Sequence, residues 1–418
     1  MVATESRPAP SPRSLEWPAD LLDVPETRRD GTPPLPFREF IVKIHSRCNL
    51  ACDYCYIYEM ADQSWRAQPA TMSVAVMEQT CRRIADHVET HGLDAVQIVL
   101  HGGEPLLAGA EKVGLFAGLI RQAIGRARVN IGVQTNGILL TREFLDLFAE
   151  YDIRVGVSID GDTIGQNRHR RYANGRGSYD RVASGLKLVT SNEYRHLFSG
   201  LLCTMDVAND PIDTYRELVS WQPPRIDYLF PHGTWATPPP QRPDDPTVTP
   251  YADWLIAVFD HWYSAARPAP SVRLFSTIIK LLLGKRAASE QVGLSPICLL
   301  VIETDGALQQ VDVLKSAYAG APETGLTVAD NAFDDVLDHP SIVARQIGVA
   351  ALGETCTSCS LRDVCGGGNY SHRYRTNSGF RHRSVYCPDL MRLITHIKAR
   401  LETDLRAARE GAREASQP

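Results

Sequence analysis

Cys48, Cys52 and Cys55 stand at C-x3-C-x2-C spacing in the stretch Cys48-Asn49-Leu50-Ala51-Cys52-Asp53-Tyr54-Cys55-Tyr56. Three thiolates on so short a loop can all face one small centre, and the surrounding chain must build a fold that presents them. A structural zinc takes four protein ligands, and no further Cys or His follows before Cys81. A cubane four-iron cluster held by three thiolates instead leaves one iron open to a small molecule. On the triplet alone, a zinc knuckle or a cluster of reduced thiols is the competing reading.

The chain has 418 residues and 44% hydrophobic composition, enough to bury a large core, and two domains are expected. Forty-four basic and 49 acidic residues give a net charge of −5, with no electrostatic case for nucleic acid or an anionic membrane. No apolar run approaches the ~20 residues a membrane span needs. Residues 1–36 are rich in Pro, Ser and Arg, carry no signal-peptide core and are expected to be flexible. A cytoplasmic location is the default expectation, and ten cysteines there read as metal ligands before disulfides.

Phe37–Ser46 reads as a strand that delivers the cysteine loop at its C-terminal end. Apolar spacing over 72–91 predicts a helix, with Thr71 or Ser73 as its cap. Strands follow at Val96–Leu100, Val129–Gln134, Ile153–Ile159, Leu197–Thr204 and Ile226–Phe230. Helices at Glu111–Gly125, after Thr141, at Tyr179–Ser191 and at Pro211–Val219 alternate with them. Such alternation implies parallel pairing and right-handed crossovers. Six units suit an α/β partial (β/α)6 barrel over residues 37–234. Residues 235–250 hold six prolines and read as a linker. Within 235–297, helices at Tyr251–Trp262 and Leu274–Gly284 bridge to a second domain over 298–387, and 388–418 forms a charged amphipathic helix.

In parallel α/β folds ligands bind at the C-terminal strand ends, and the unusual polar motifs fall there. His101-Gly102-Gly103-Glu104-Pro105 follows the second strand, Gln134-Thr135-Asn136-Gly137 ends the third, and Ser158-Ile159-Asp160-Gly161 ends the fourth. Glycines let backbone approach a ligand closely. Together with the cysteine triplet, these motifs resemble those of the radical S-adenosylmethionine (SAM) enzymes. The resemblance implies a 4Fe–4S cluster on Cys48, Cys52 and Cys55 whose open iron binds SAM. It also implies that Tyr54 packs near the adenine and that Gly102, Gly103 and Glu104 hold the amino group. Asn136, Ser158 and Asp160 would contact the ribose or carboxylate, and Arg170 would pair with the carboxylate. His101 and Cys203 carry no assigned role.

Cys356, Cys359, Cys365 and Cys387 form a second set, with Cys298 upstream. Four thiolates can close a cluster completely, although a structural zinc can use the same ligands. The set resembles a SPASM domain, the C-terminal extension of peptide-modifying radical SAM enzymes, which in full carries seven cysteines and two auxiliary clusters. Here Val311 and Asn369 stand where two of those cysteines are expected. One auxiliary 4Fe–4S cluster on Cys356, Cys359, Cys365 and Cys387 is therefore expected, with a five-cysteine site that includes Cys298 left open.

The texts Cys365-Gly366-Gly367-Gly368-Asn369-Tyr370-Ser371-His372-Arg373-Tyr374-Arg375 and Ser384-Val385-Tyr386-Cys387 resemble the FxsB-type maturases. Those enzymes install cyclophane crosslinks in ribosomally made peptides. The resemblance implies a precursor peptide as substrate and a flavodoxin or ferredoxin as reductant. It also implies a crosslink between an aromatic ring and the Cβ of a nearby residue, with Asp312 as the proton acceptor. A thioether-forming peptide maturase and a sulfatase-type formylglycine maturase are the rival enzymes. A zinc-bound peptide-binding module is the non-enzyme reading, and it would leave Glu104, Asn136 and Asp160 without purpose.

Overall fold

The computed structural model describes residues 16–265 and 269–414. Among them, ten strands share one sheet. They are β1 (Glu39–His45), β2 (Ala95–Gly102), β3 (Arg128–Thr135), β4 (Ile153–Ser158), β5 (Phe198–Thr204), β6 (Arg225–Leu229), β7 (Ser271–Val272), β8 (Leu299–Ile302), β9 (Ala307–Gln309) and β10 (Glu323–Thr327). Their order across the sheet is β10-β9-β8-β1-β2-β3-β4-β5-β6-β7. From β1 to β7 every pairing is parallel. The α/β architecture anticipated from the alternating pattern is present.

A short helix α1 (Val24–Arg29) precedes β1, and α2 (Val74–Thr90), α3 (Ala110–Ala123) and α4 (Arg142–Glu150) link the first four strands. Two helices, α5 (Thr163–His169) and α6 (Tyr179–Val189), connect β4 to β5, and α7 (Pro211–Ser220) connects β5 to β6. Local chemistry sets their starts. Ser73 caps α2 by accepting from the Val76 N–H, and Thr141 caps α4 by accepting from the Phe144 N–H. Asp210 caps α7 with Pro211 in its first turn. In α2 the buried Met77, Thr80, Cys81, Ile84, His87 and Val88 recur three or four residues apart, so one stripe faces the sheet. Helix α5 lacks such a stripe and was not anticipated. Asp162 starts it by accepting from the Ile164 and Gly165 N–H groups.

Two features bear on the expected division of the chain. The first concerns the boundary at residue 298. Strand β8 lies parallel beside β1, and β9 and β10 continue from it as an antiparallel pair, so the C-terminal region extends the barrel sheet. The run Leu299–Ile302 is buried throughout, as suits a strand covered on both faces, and its backbone pairs with the edge of β1.

The second concerns the N-terminal segment. Residues 1–15 lie outside the described residues, but those after them are packed. Trp17 is 3% exposed, in an apolar cluster with Val311, Leu314, Tyr370 and Phe380. The Arg381 guanidinium lies 3.8 Å from its ring centroid, and the Phe380 N–H donates to the Trp17 carbonyl at 3.3 Å. Arg28 of α1 donates to the Leu337 carbonyl at 2.8 Å and to Asp338 at 2.9 Å. A Pro-rich composition hid one indole, whose burial outweighs the local preference for disorder. The proline-rich stretch after β6 is likewise held, with the Trp235 ring N–H donating to the Arg383 carbonyl at 2.7 Å.

Candidate active site at the C-terminal strand ends

The cysteine loop leaves the end of β1, and the end of β2 passes directly beneath it. The Gly103 N–H donates to the His45 carbonyl and the Glu104 N–H to the Arg47 carbonyl, both at 3.0 Å. A Cβ on Gly102 would stand 1.9 Å from the His45 carbonyl oxygen, and one on Gly103 would stand 1.8 Å from the Tyr58 hydroxyl. The glycine pair is thus required by the loop itself, before any ligand is considered.

Glu104 joins β2 to β3. Its fully buried carboxylate accepts from the Asn136 N–H at 2.8 Å, from Thr135 Oγ1 at 2.7 Å and from the Leu106 N–H at 3.1 Å. Burial pushes its pKa up to about 7 against those donors. Asn136 then donates from Nδ2 to Asn49 Oδ1 at 2.8 Å, tying the end of β3 to the residue after Cys48. Asn49 was not singled out from sequence, although its place inside the cysteine motif was a signal.

Asp160 organises the other wall. It is 2% exposed, accepts from the Tyr54 hydroxyl and from Arg170 Nε at 2.8 Å, and takes the Thr204 N–H at 2.9 Å. The Arg170 guanidinium lies 5.6 Å from the Tyr54 ring centroid. Gln166 of α5 fixes the turn by accepting from the Asp160 N–H at 2.8 Å. Ser158 Oγ accepts from Gln134 Nε2 at 2.9 Å, one strand away. Tyr54, Asp160 and Arg170 are therefore brought together, and Glu104 and Asn136 form a second group with Asn49.

Burial pushes the Cys48 and Cys52 thiols up to about 12 and raises that of Cys55. Such thiols become thiolates when a cation binds them. In the second set, Cys365 is within electrostatic reach of Cys387 and Cys356, and Cys387 of Cys356 and Cys359. The buried Arg373 donates to the carbonyls of Gly366, Gly367 and Gly368 at 2.5, 3.1 and 2.8 Å, which fixes the chain after Cys365. Cys298 stands before β8 with Arg38 as its charged neighbour. Val311 is 2% exposed in the core around Trp17, and Asn369 is 8% exposed with its side chain turned to Ser371.

Among the described residues, the group of potential metal ligands whose atoms all lie within 4.8 Å of one another is His87, His91 and Asp334, remote from both cysteine sets. A tetrahedral zinc with Zn–S bonds of about 2.3 Å brings its sulfurs to within roughly 4 Å of each other.

Above these groups a cavity of about 630 Å³ opens, within the range of ligand sites. Its lining includes Tyr54, His169, Met205, Asp206, His232 and Ser316. His169 bridges Asp53 at 2.9 Å and Asp206 at 3.2 Å. His232 Nδ1 lies 3.1 Å from His372 Nε2, and burial depresses its pKa to about 4. Neither histidine was singled out from sequence, since nothing local marks a lone His as cavity-lining. Asp312, three residues after β9, is 5% exposed and ion-paired to Lys43, and Ser316 of the same 3-10 turn lines the cavity.

Residues 42–218 match the model of the radical SAM superfamily. They are a radical SAM domain. Over 387 residues the chain is 25% identical to a cysteine-type anaerobic sulfatase-maturating enzyme of Clostridium perfringens (strain 13 / Type A), covering 88% of this chain and 98% of that protein. Among solved structures, native anSMEcpe with bound AdoMet and Cp18Cys peptide superposes with a TM-score of 0.72 at 20% identity, over 88% of this chain and 99% of that one. Streptococcus suis SuiB bound to precursor peptide SuiA gives a TM-score of 0.59 at 14% identity, over 87% and 78%. The fold is that of the radical SAM enzymes, and the chain is an enzyme of this type.

Proposed function

We propose that this radical SAM enzyme matures a ribosomally made precursor peptide by joining an aromatic ring to the Cβ of a nearby residue. One observation carries the reading beyond the general class. Val311 and Asn369 occupy positions where the full SPASM pattern supplies ligands, and the space around Val311 is a packed apolar core. A single four-thiol set remains, unlike the two-cluster arrangement expected of a formylglycine maturase. The relatives' printed substrates, a Cp18Cys peptide and the precursor SuiA, support a peptide as the partner.

Cys48, Cys52 and Cys55 would hold the SAM-binding cluster, and Cys356, Cys359, Cys365 and Cys387 the auxiliary one. Tyr54, Gly102, Gly103, Glu104, Asn136, Ser158, Asp160 and Arg170 would seat SAM. When bound and reduced, cluster and SAM supply a 5′-deoxyadenosyl radical that takes hydrogen from a substrate carbon. Arg170 is fixed by Asp160 through Nε, which leaves its terminal N–H groups for a carboxylate. The apolar part of the cavity wall keeps water from the reacting carbon. Asp312, buried and ion-paired to Lys43 in the same 3-10 turn as the cavity-lining Ser316, is the proton acceptor in this reading. Reductant would be a flavodoxin or ferredoxin.

The test uses the reconstituted, reduced enzyme with SAM and the peptide of a small neighbouring reading frame with an aromatic-rich C-terminus. The expected product has lost two hydrogens and shows a ring-to-Cβ bond by tandem mass spectrometry and NMR. A sulfur-to-carbon bond or an aldehyde would replace this reading with the thioether or formylglycine one.

A further inference from the structure

Asp312 belongs to a chain of buried charges whose other members the resemblance does not assign. Lys43 is 3% exposed, Asp312 5%, Glu303 2%, Lys315 1% and Asp62 1%. Lys43 is ion-paired to Asp312, and its Nζ lies 2.6 Å from Glu303 Oε1. Lys315 Nζ lies 3.6 Å from the same Glu303 oxygen and 2.9 Å from Asp62 Oδ2. The order is therefore Asp312, Lys43, Glu303, Lys315, Asp62.

Two ammonium groups face three carboxylates, so the chain carries one negative charge in excess. His101, opposite Lys43 in the β1–β2 register, adds no cation, because burial keeps its imidazole neutral. Tyr56, on the cysteine loop within electrostatic reach of Asp312, is kept un-ionised by burial and by that carboxylate. An unbalanced charge in a dry interior is costly, and uptake of one proton removes it. The far carboxylate is the most firmly held. Asp62 accepts from Ser64 Oγ at 2.6 Å and from the Gly320 N–H at 2.8 Å in addition to Lys315. Glu303 is shared by both lysines, and Asp312 ends the chain within electrostatic reach of Tyr56.

We propose that these five side chains act as one proton sink, in which Lys43 and Glu303 are positioning residues that set how strongly Asp312 takes a proton. The inference rests on the function proposed above in taking Asp312 as the acceptor. The step it serves is balanced. The ring-adduct radical gives its proton to an Asp312 oxygen and one electron to an oxidised iron–sulfur cluster, and the broken C–H bond's electron pair restores the aromatic ring.

Two variants move the charge balance in opposite directions. Lys43→Met leaves two negative charges in excess, so Asp312 binds a proton more tightly and is already protonated near neutrality. Glu303→Gln leaves none, so Asp312 is a weaker base at every pH. In the wild type, burial would raise the Asp312 carboxyl, but Lys43 and Lys315 outweigh it and hold it below the usual range. The wild-type ratio of crosslinked peptide to 5′-deoxyadenosine is therefore expected to be flat between pH 6 and 8.5. For Lys43→Met the ratio falls about tenfold from the top of that range to the bottom, and Lys43→Arg restores the flat profile. For Glu303→Gln it is lowered about tenfold throughout without an acid limb. Asp62→Asn, at the far end of the chain, repeats the Glu303→Gln sign at smaller size and serves if a central variant fails to fold. Equal losses at all pH values in Lys43→Met and Glu303→Gln, or a flat profile in Lys43→Met, would overturn the proposal. The wild-type product's structure tests the function separately, because the same ratio can be taken with whatever product forms.

Discussion

At the scale of single residues, the three loop cysteines and Asp312 give the sharpest expectations. The triple change Cys48→Ala, Cys52→Ala, Cys55→Ala removes every ligand of one proposed cluster and none of the other. Reconstituted wild type is expected to carry roughly eight irons per chain and the triple variant roughly four, with no 5′-deoxyadenosine formed. Iron and sulfide analysis with a SAM cleavage assay checks both, and 5′-deoxyadenosine from the triple variant would refute the assignment. Asp312→Asn keeps the side chain's size and removes its basicity. It is expected to cleave SAM with peptide bound while crosslinking falls about 10²–10⁴-fold, as for loss of a general base. Crosslinking at the wild-type rate would rule Asp312 out. A large drop in melting temperature with SAM cleavage lost as well would make it a structural partner of Lys43.

At the scale of elements, the end of β2 and the segment before α1 hold the site in place from two sides. Gly103→Ala puts a methyl group where the Tyr58 hydroxyl and the Arg47 carbonyl now stand, 1.8 and 2.5 Å from the new carbon. One of these neighbours is backbone, so the cysteine loop must shift. The expected outcome is a soluble protein with iron lost mainly from the SAM-binding set, read by iron content and absorbance. Trp17→Ala opens a cavity among Val311, Tyr370 and Phe380, at a cost of about 3–5 kcal/mol. Chemical denaturation measures that loss, and a change under about 1 kcal/mol would show that Trp17 does not seal the core around Val311. The His87, His91 and Asp334 group belongs at this scale too. His87 Nε2 accepts from the Phe37 N–H at 3.0 Å, which places its proton on Nδ1 toward Asp334 at 2.9 Å. The group ties α2 to the start of β1 and needs no metal to be satisfied.

For the whole molecule, buried imidazoles set the response to acid. Burial depresses the pKa of His87, His101, His232 and His372, with His232 at about 4. Between those folded values and an unfolded value near 6.5, the unfolded chain binds more protons, so stability rises with pH. Their contribution is complete above about pH 6.5 and is lost as pH falls through the folded values. His169 works the other way, because Asp206 and Asp53 raise its pKa, but it is one partly exposed group. Denaturation midpoints are expected to fall from pH 7.5 to pH 5.5, and a midpoint that rose would contradict the burial of these rings. The same contrast marks what could be read in advance. Alternating apolar runs and capping residues announced β1 to β6 and α2, α4 and α7, because those signals act within a few residues. The strand-end motifs announced that Tyr54, Asp160 and Arg170 lie on one edge of the sheet with Glu104 and Asn136, since a parallel sheet delivers all its strand ends there. Three features depended on residues far apart in the chain. Trp17 finds its place only against Phe380 and Arg381, β8 is a strand because β1 offers an edge, and Lys43 reads as an ordinary strand lysine until Asp312 and Glu303 arrive beside it. Burial and charge pairing across such separations are set by the packed chain as a whole, and no local run of sequence records them.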